Sequence, residues 1–256
     1  MKFDSGDARV SVVIPCLNEE EPIAAVVLEV LAQGVDEVIV VDNGSTDRTA
    51  IEAAAAGARV VSEPHRGYGR ACKAGLSALD SRSEIVCFLD GDGSDVPAFM
   101  PAIIGPIAAG KADFAIGSRL RGRREPGSLT PQQILAGRLA GLLLRFTYGI
   151  QFTDMSPFRA MRVDRLHALG MREQTYGWNL EMQMRAAAAG LRILEIPVGY
   201  RCRRGGVSKV SGNMVAGVTA AWKIVTTFLR LALSLRAEPA RAVSGKPVPE
   251  SSRERI

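Results

Sequence analysis

Apolar and polar residues alternate in blocks along the first 118 residues, in a way that predicts strands and helices in turn. Short, largely β-branched runs indicate buried strands at residues 10–14, 37–41, 59–62, 84–89 and 112–117. Helical spacing of apolar residues lies between them, at residues 19–33, 47–57, 69–79 and 97–109. Continuous apolar strands that alternate with helices predict an α/β fold with a mostly parallel sheet and helices on both faces. Ligands of such sheets bind at the carboxyl ends of the strands.

The pattern changes after Arg119. Residues 119–145 contain six arginines and one acid. Beyond them the pattern predicts a helix over residues 130–148, a loop over 154–161, a helix over 178–189 and a strand over 192–196. Residues 213–236 predict an amphipathic helix, and residues 237–256 are polar and expected to be disordered. Residues 1–212 are therefore expected to form the main domain.

The composition limits the class of protein. With 256 residues, of which 47% are hydrophobic and 23% charged, the chain suffices for one large α/β domain and is not disordered throughout. The four cysteines form no C-x-x-C pair and the two histidines are isolated, so free thiols in the cytoplasm are expected. The amino terminus lacks a signal-peptide core, and no stretch stays apolar for the roughly 18 residues of a membrane span.

The net charge of +5 and the pI of about 9.2 favour anionic partners. Phosphorylated small molecules, a membrane surface and nucleic acid all have the required charge. Aromatic residues make up only 5% of the chain and are not interleaved with the basic residues, which argues against nucleic acid. No feature of the sequence specifies an oligomeric state.

Three carboxylates follow the fourth predicted strand, in the stretch FLDGDGSD. Asp90 and Asp92 are one residue apart at the binding edge, where their like charges repel each other without a cation. Oxygen ligands bind hard cations such as Mg²⁺ or Mn²⁺, and magnesium typically combines one or two carboxylates with substrate phosphates. The D-x-D pattern therefore predicts a divalent cation that joins the protein to a diphosphate.

Two more loops at this edge have the composition of a nucleotide site. In VVDNGSTD, Asp42 ends the second predicted strand, where a carboxylate can accept hydrogen bonds from a base N–H or from ribose hydroxyls; a role in the turn alone is the alternative. In EPHRGYGRACKAG, Gly67 and Gly69 allow the backbone to approach a phosphate or ribose at a helix amino terminus.

Several residues of these loops are expected to serve the following helices. Ser94 or Asp95 would cap the helix that begins near residue 97, and Ser45 or Thr46 would cap the helix after the second strand. Asp47 would then be a first-turn acid that the helix dipole favours.

The stretches IPCLNEEE, VVDNGSTD, RGYGRACKAG, FLDGDGSD and IGSRLRG occur in the order and at the spacing of family-2 glycosyltransferases. The chain resembles this family over residues 10–212, which implies a nucleotide-sugar-binding (GT-A-like) fold. DMSPFRAMR and the segment from YGWNLEMQ to SKVSG are most similar to the polyprenyl-phosphate (dolichyl-phosphate type) hexose synthases. The resemblance implies metal-dependent transfer of a hexose from a UDP- or GDP-sugar to a polyprenyl phosphate, with inversion at the anomeric carbon.

The resemblance also implies roles for residues of the donor site. Asp92 would be catalytic through the metal. The donor and metal residues are Pro15, Asn18 and Glu19 in the base pocket, Asp42 on the nucleobase or ribose, Gly67 in the donor loop, and Asp90 and Asp92 on the metal and diphosphate. Many family members carry a metal-binding glutamine at the position of Ser94, so Asp95 is a candidate substitute for that ligand.

On the acceptor side, the resemblance places Arg119 and Arg138 at the acceptor phosphate and Ser208 and Lys209 near the donor and acceptor phosphates. Arg119 would thereby also serve catalysis. Pro157 replaces the usual glycine of the acceptor loop, which bears on the shape of that loop.

The acceptor determines whether a general base is needed. A phosphate monoester has a second pKa of about 6 and is mostly dianionic at pH 7, so it can attack unaided. A soluble hydroxyl acceptor, which is the alternative, would need a base; Glu181 is the first candidate and Asp154 the second. Either carboxylate could instead be structural, Glu181 in an ion pair on its helix and Asp154 in ordering a loop.

The helix at residues 213–236 bears on the acceptor, because a basic amphipathic helix is typical of membrane-surface binding. Basic residues accompany it: Lys223, Arg230 and Arg236 within the helix, and Arg201, Arg203, Arg204 and Lys209 upstream. A peripheral position on the cytoplasmic face of the membrane is therefore expected, and packing on its own domain or on a second subunit is the alternative. The helix at residues 130–148 has the same two interpretations.

A nucleotidyltransferase also combines paired acids with a metal. It would be expected to carry a glycine-rich loop of the type G-x-G-T-R after the first strand. The sequence there is PCLNEEE, which argues against this class.

Overall fold

Seven strands form one sheet in the part of the chain that the computed structural model describes, residues 8–205 and 214–237, with side chains of the last helix described for residues 224–235. The strands are β1 Val10–Cys16, β2 Glu37–Asp42, β3 Arg59–Ser62, β4 Ile85–Phe88, β5 Phe114–Ser118, β6 Arg159–Arg162 and β7 Ile193–Pro197. Their order across the sheet is β3-β2-β1-β4-β6-β5-β7. Only β6 runs against its neighbours, antiparallel to β4 and to β5. The sheet is therefore mostly parallel, which confirms the predicted fold class.

Helices cover both faces of the sheet. They are α1 Ile23–Leu31, α2 Thr49–Ala55, α3 Tyr68–Ser77, α4 Met100–Ala108, α5 Pro131–Tyr148, α6 Val163–Leu169, α7 Trp178–Ala188 and α8 Met214–Ala237, with a short 3-10 helix at Pro97–Phe99 before α4. Alternate residues of a strand face opposite sides, so Val12 and Ile14 of β1 join one core with α1, α2 and α4. Val13 joins the other core, with α3, α5, α6, α7 and α8.

The prediction of a loop over residues 154–161 is partly wrong, because this segment ends in β6. The sequence Arg-Ala-Met-Arg has neither the apolar run nor the alternation that identifies a strand. It pairs nevertheless, and the two terminal nitrogens of the buried Arg159 side chain donate to the carbonyl oxygens of Ser156 and Asn179. The short helix α6, which follows β6 directly, was not predicted either.

Helix α5 begins and ends as its sequence dictates. Thr130 and Gln133 form a capping box, in which each side chain accepts a hydrogen bond from the other residue's backbone N–H, and Pro131 occupies the first turn. Gly149, with φ of 72°, ends the helix in the left-handed conformation. The helix buries small residues, including Ala136, Gly137, Ala140 and Gly141.

The outer surface of α5 and α8 carries exposed apolar side chains, while the inner face of each helix is packed. Phe228 and Leu231 of α8 are buried in the core shared with α5 and α7, so this helix does pack on its own domain. Large apolar side chains that remain exposed on the two helices are Leu135, Leu142, Phe146, Leu229 and Leu233. Within the described residues, no helix has both the length and the apolar character to cross a membrane.

Candidate active site

The loops predicted to bind the donor meet at one edge of the sheet. Cys16 at the end of β1 is level with Asp42 at the end of β2, and β4 lies on the other side of β1. Asp90 follows β4 by two residues, and Arg119 follows β5 directly. Because β6 is antiparallel, Asp154 and the residues before Arg159 approach the same edge from the opposite direction.

The loop from Asp90 to Asp95, called the acidic loop below, is held by its own carboxylates. Asp95 is buried, and its Oδ2 accepts a hydrogen bond from the backbone N–H of Asp90 at 3.0 Å. The Oδ1 of Asp92 accepts hydrogen bonds from the N–H of Ser94 at 2.9 Å and from the Ser94 hydroxyl. Neither Ser94 nor Asp95 caps the following 3-10 helix, so that expectation was wrong. Both residues shape the loop instead.

The acidic loop gathers three carboxylates, Asp90, Asp92 and Asp95, within six residues. Burial raises the pKa of Asp90 well above its usual range, and the neighbouring carboxylates of Asp92 and Asp95 raise it further. Burial likewise raises the pKa of Asp95. Among the described residues, the Oδ1 atom of Asp95 is buried without a hydrogen-bond partner. These features fit a divalent cation at the loop, whose charge would stabilise the ionised carboxylates.

Side chains of the described residues alone do not enclose such a cation. Within residues 8–205 and 214–237, no group of three or more His, Cys, Asp or Glu side chains is placed to hold a metal ion. A cation on Asp90 and Asp92 would therefore need oxygen ligands from water and from a bound phosphate, as magnesium sites commonly have.

A segment after β7, residues 200–205, crosses over the acidic loop and is called the arginine strap below. Tyr200 forms an antiparallel bridge with Asp95. The N–H of Arg201 donates to the carbonyl oxygen of Ser94 at 2.9 Å, and the N–H of Arg204 donates to that of Asp92 at 3.0 Å. The strap is thus joined to the acidic loop through the backbone.

The arginine side chains of the strap bind acids of the domain. Arg201 and Arg204 each donate to a different carboxylate oxygen of Glu29, both at 2.7 Å. Arg203 donates to Glu19 at 2.8 Å. We expected these three arginines to extend a basic membrane surface, but the structure directs them to carboxylates around the donor edge.

The loops after β1 and β2 are tied together through Asn18, which has a positive φ of 53°. Its N–H donates to the Ser45 hydroxyl at 2.9 Å, and its Oδ1 accepts from the N–H of Thr46 at 2.8 Å. The Oδ1 of Asp42 accepts from the N–H of Ser45 at 3.1 Å. Ser45 and Thr46 therefore position Asn18 and Asp42 rather than cap α2, which has no side-chain cap.

A cavity of about 380 Å³ lies beside Asn18. It is lined by Leu17, Asn18, Arg66, Gly67, Tyr68, Thr175 and Tyr176. Two predicted donor residues, Asn18 and Gly67, thus share one cavity. A Cβ atom at Gly67 would collide with the carbonyl oxygen of Gln174, so only glycine fits where these two segments pass each other. Pro15 is level with Val41 of β2 and is partly exposed.

Arg119 and Asp154 form a buried bidentate ion pair. Nε and a terminal nitrogen of Arg119 each donate to a different oxygen of Asp154 at 2.7 Å, and the backbone N–H of Arg119 donates to Asp154 at 2.9 Å. Burial raises the pKa of Asp154, but the hydrogen bonds and charge of Arg119 outweigh it and leave the pKa below its usual range. The Tyr200 ring stacks on the guanidinium, 4.9 Å away.

Glu181 is fully buried, and its carboxylate has several hydrogen-bond donors. It accepts from the backbone N–H groups of Arg172 and Glu173, the latter at 2.7 Å, and from Nε of Arg185 at 2.8 Å. Arg185 lies one turn along the same helix, so these contacts are the ion pair that the structural alternative for Glu181 predicts. Asp154 likewise orders the loop that it occupies.

A second cavity, of about 360 Å³, lies beyond Arg119. It is lined by Leu120, Arg121, Arg138, Gly141, Leu142, Arg145, Gln151, Phe152 and Thr153. Arg138 therefore lines the same cavity as Arg121 and Arg145, whereas the guanidinium of Arg119 is paired with Asp154. Ser208 and Lys209 lie outside the described residues.

Three residues at this edge escaped prediction. Arg203 was interpreted as part of a basic membrane surface, and Tyr200 lies in the segment that resembles the hexose synthases but was given no role there. Arg159 lies buried near Tyr68, Cys72 and Asp154, and burial lowers its pKa to about 10. A charged residue within the apolar stretch PFRAM was the one signal for it.

Comparison with known proteins agrees with this arrangement. The model of the family "Glycosyl transferase family 2" matches residues 11–170. An uncharacterized glycosyltransferase of Mycobacterium tuberculosis is 39% identical over 226 residues, which cover 87% of this chain and all of that protein. The undecaprenyl-phosphate mannosyltransferase of Micrococcus luteus is 32% identical over 254 residues, which cover 93% of this chain and 99% of the relative.

Solved structures show the same fold. The glucosyl-3-phosphoglycerate synthase of Mycobacterium tuberculosis, crystallised with Mn²⁺, uridine diphosphate and phosphoglyceric acid, superposes with a TM-score of 0.69. It is 26% identical, and the match covers 90% of this chain and 80% of that one. The motifs, the sheet and these matches together establish that the chain belongs to glycosyltransferase family 2.

Proposed function

We propose that this glycosyltransferase moves a hexose from a nucleoside-diphosphate sugar to a polyprenyl phosphate, with the help of a divalent cation. The observation that carries the acceptor assignment is the cavity lined by Arg121, Arg138 and Arg145. Its wall includes Leu142, which also belongs to the exposed apolar surface of α5. A cavity that is basic inside and apolar at its margin suits a phosphate on a long hydrocarbon chain.

On the donor side, Asp90 and Asp92 would hold Mg²⁺ or Mn²⁺ together with the diphosphate. When bound, such a cation neutralises the charge that builds up on the departing diphosphate. Hydrogen bonds within the acidic loop keep these carboxylates in place. Asp95 accepts from the backbone N–H of Asp90, and Asp92 accepts from the N–H of Ser94. Asn18, Asp42 and Gly67 would bind the nucleoside. The cavity beside Asn18 and the Mn²⁺–uridine diphosphate complex of the structural relative support this assignment.

On the acceptor side, a dianionic phosphate needs positive charge and orientation rather than a base. Arg138 and Arg145 supply the charge together with Arg121, whose Nη1 also lies 3.7 Å from Oε2 of Glu195. Guanidinium groups bind phosphate in a fixed, bidentate geometry. Direct attack on the anomeric carbon from the face opposite the diphosphate would invert its configuration. Glu181 is not required in this scheme, which agrees with its backbone and Arg185 contacts.

The exposed surface of α5 and α8 would lie on an anionic membrane and bring the enzyme to its lipid acceptor. Phe146 is 81% exposed and Leu142 is 49% exposed, a costly arrangement in water for side chains of this size. Arg138 and Arg145 on the same helix would contact lipid phosphates, with on the order of 1 kcal/mol from each basic residue near the surface.

The test is sugar transfer from radiolabelled UDP- and GDP-sugars to membrane lipids, with Mn²⁺ or Mg²⁺ and with EDTA. Wild type is compared with Asp92→Asn. Organic-extractable, acid-labile label that disappears with EDTA and in the variant is the expected result. Transfer that persists undiminished in EDTA would contradict the metal, and donor turnover without lipid labelling would contradict the acceptor.

A soluble phosphorylated acceptor is the second candidate, since the structural relative was crystallised with phosphoglyceric acid. The arginine-lined cavity would accept a small phosphate monoester equally well by charge. Adding 3-phosphoglycerate to the same reactions distinguishes the two, because water-soluble labelled product in place of lipid label would support this second acceptor.

A further inference from the structure

One nitrogen of the arginine strap stands between the donor site and the acidic loop. The terminal nitrogen Nη2 of Arg203 lies 2.8 Å from Oε1 of Glu19 and 3.5 Å from Oδ2 of Asp92. Both carboxylates are mostly buried, at 8% and 17% side-chain exposure, and Arg203 is 25% exposed. The ion pairs of Arg203 with Glu19 and Asp92 are therefore shielded from water more than a surface ion pair is, and dissolved salt screens them less.

Apart from these two carboxylates, the contact that holds the Arg203 side chain lies within the strap. Its Nε donates to the carbonyl oxygen of Gly205 at 3.0 Å, within the strap itself. Glu19, by contrast, is anchored, because its N–H donates to the Thr49 hydroxyl at 2.8 Å. A small movement would take the guanidinium of Arg203 away from Asp92. The strap would stay on the acidic loop through the backbone hydrogen bonds of Arg201 and Arg204.

We infer that Arg203 is a resident counter-cation of the acidic loop, which the divalent metal must displace from Asp92, so that the metal binds well only together with a nucleoside diphosphate. This inference rests on the metal site proposed above. A metal ion alone would separate Arg203 from Asp92 and place two cations side by side. A diphosphate offers Arg203 new oxygen acceptors, because guanidinium groups pair readily with phosphate.

The arrangement has a thermodynamic consequence. If the diphosphate raises the affinity of the metal, then the metal raises the affinity of the diphosphate by the same factor. Arg203 is thus a positioning residue, whose effect is on the coupling between the two ligands. At a metal concentration that saturates the donor-bound enzyme, the enzyme without donor would remain largely metal-free.

The experiment is a Mn²⁺ titration of the full chain, followed by the electron paramagnetic resonance signal of free Mn²⁺, without nucleotide and with saturating UDP or GDP. Arg203→Gln is compared with wild type. Without nucleotide, the variant is expected to bind Mn²⁺ about fivefold more tightly, as removal of a partly shielded competing ion pair predicts. Nucleotide is expected to raise the Mn²⁺ affinity less in the variant than in wild type.

Arg204→Gln is the matched control. It removes the same charge from the same strap and keeps the backbone hydrogen bond to Asp92, and the Arg204 side chain pairs with Glu29 and not with the carboxylates of the acidic loop. It should therefore leave the affinity for Mn²⁺ alone close to that of wild type. An equal increase in both variants would show that net charge or a loosened strap is responsible, and would overturn the inference.

Two other outcomes also decide the matter. Unchanged Mn²⁺ affinity in Arg203→Gln, with nucleotide-supported Mn²⁺ binding in all three proteins, would overturn the role of Arg203 and leave the proposed metal site standing. Absence of Mn²⁺ binding in all three, with UDP and with GDP, would overturn the inference together with the proposed function.

Discussion

At the scale of single residues, the site depends on charged groups that are buried with a partner. Arg119 and Asp154 illustrate the cost of such an arrangement, because both side chains lose water and most of the hydrogen bonds that Asp154 regains come from Arg119, with one more from the N–H of Met155. The pair also holds Arg119 under the Tyr200 ring, at the point where β5 reaches the binding edge. Its removal should therefore affect stability before it affects chemistry.

Asp154→Asn is expected to lower the free energy of unfolding by about 3–5 kcal/mol, because it leaves the buried guanidinium without a counter-charge. Asp164→Asn, which breaks an exposed pair with Arg162, is the control and should cost less than about 1 kcal/mol. Urea denaturation of both variants measures the difference. Equal effects would mean that burial does not govern the strength of the Arg119 pair.

The same pair predicts a pH dependence. The folded-state pKa of Asp154 is lowered, so its contribution is fully present above the unfolded pKa, about 3.9, and is lost as the pH falls through the folded value. The stability difference between wild type and Asp154→Asn should therefore be constant between about pH 5 and 7 and shrink below about pH 4. A difference that grows on acidification would have the wrong sign.

Gly67→Ala tests the nucleoside site proposed at the cavity beside Asn18. A methyl group there meets the carbonyl oxygen of Gln174, so the loop must shift, and both the free energy of unfolding and the affinity for UDP or GDP should fall. Gly110→Ala is the matched control, because Gly110 also has a positive φ but open space around its Cβ position. A loss of nucleotide affinity in Gly67→Ala alone is the expected result of calorimetric titration.

At the scale of elements, the sequence predicted best what depends on short-range pattern. The parallel strands β1, β4 and β5 are buried along almost their whole length, so each appears as an apolar run. The edge strand β3 is only partly buried, and its bounds were nevertheless predicted to the residue. β6 was missed because it contributes two arginines to the sheet. The arginine strap was missed because its partners are remote in sequence; Arg203 and Glu19 are 184 residues apart. Ion pairs of this separation leave no periodic signal.

Helix α7 provides a test of how Glu181 is used. Glu181→Gln removes the buried ion pair with Arg185 and weakens the hydrogen bonds to the N–H groups of Arg172 and Glu173, so we expect a loss of unfolding free energy of about 3–5 kcal/mol. Under conditions where the variant is folded, transfer to the phosphate acceptor should persist. A folded, fully stable variant without transfer activity would instead identify Glu181 as a base.

At the scale of the whole molecule, charge and apolar surface are distributed on different sides of the binding edge. The strap arginines neutralise acids around the donor site, while Arg138 and Arg145 remain on α5 beside exposed apolar side chains. The net charge of +5 indicates anionic partners in general, and only the fold separates arginines that balance the protein's own acids from arginines free of them.

The double variant Leu142→Ser/Phe146→Ser tests the membrane surface. It should bind vesicles of anionic phospholipid at least tenfold more weakly, since burial of each large apolar side chain contributes about 1.5–3 kcal/mol. Leu28→Ser/Ile51→Ser is the control, because these residues are 57% and 59% exposed on α1 and α2, which cover the opposite face of the sheet. Co-sedimentation that falls equally in both variants would count against a specific surface.

The single antiparallel strand has a consequence for how such enzymes change their substrates. Because β6 returns against β5, the whole excursion from residue 119 to 158, which contains α5, leaves the sheet and rejoins it at the same edge. The Arg119–Asp154 ion pair and a hydrogen bond of 2.7 Å between the Ser118 and Thr153 hydroxyls join the two ends of this excursion. A closed excursion can lengthen, shorten or change its surface without disturbing the strands that carry the nucleotide loops. The residues that line the proposed acceptor cavity all belong to this excursion, so exchanging the insert is expected to change the acceptor and to leave the donor unchanged.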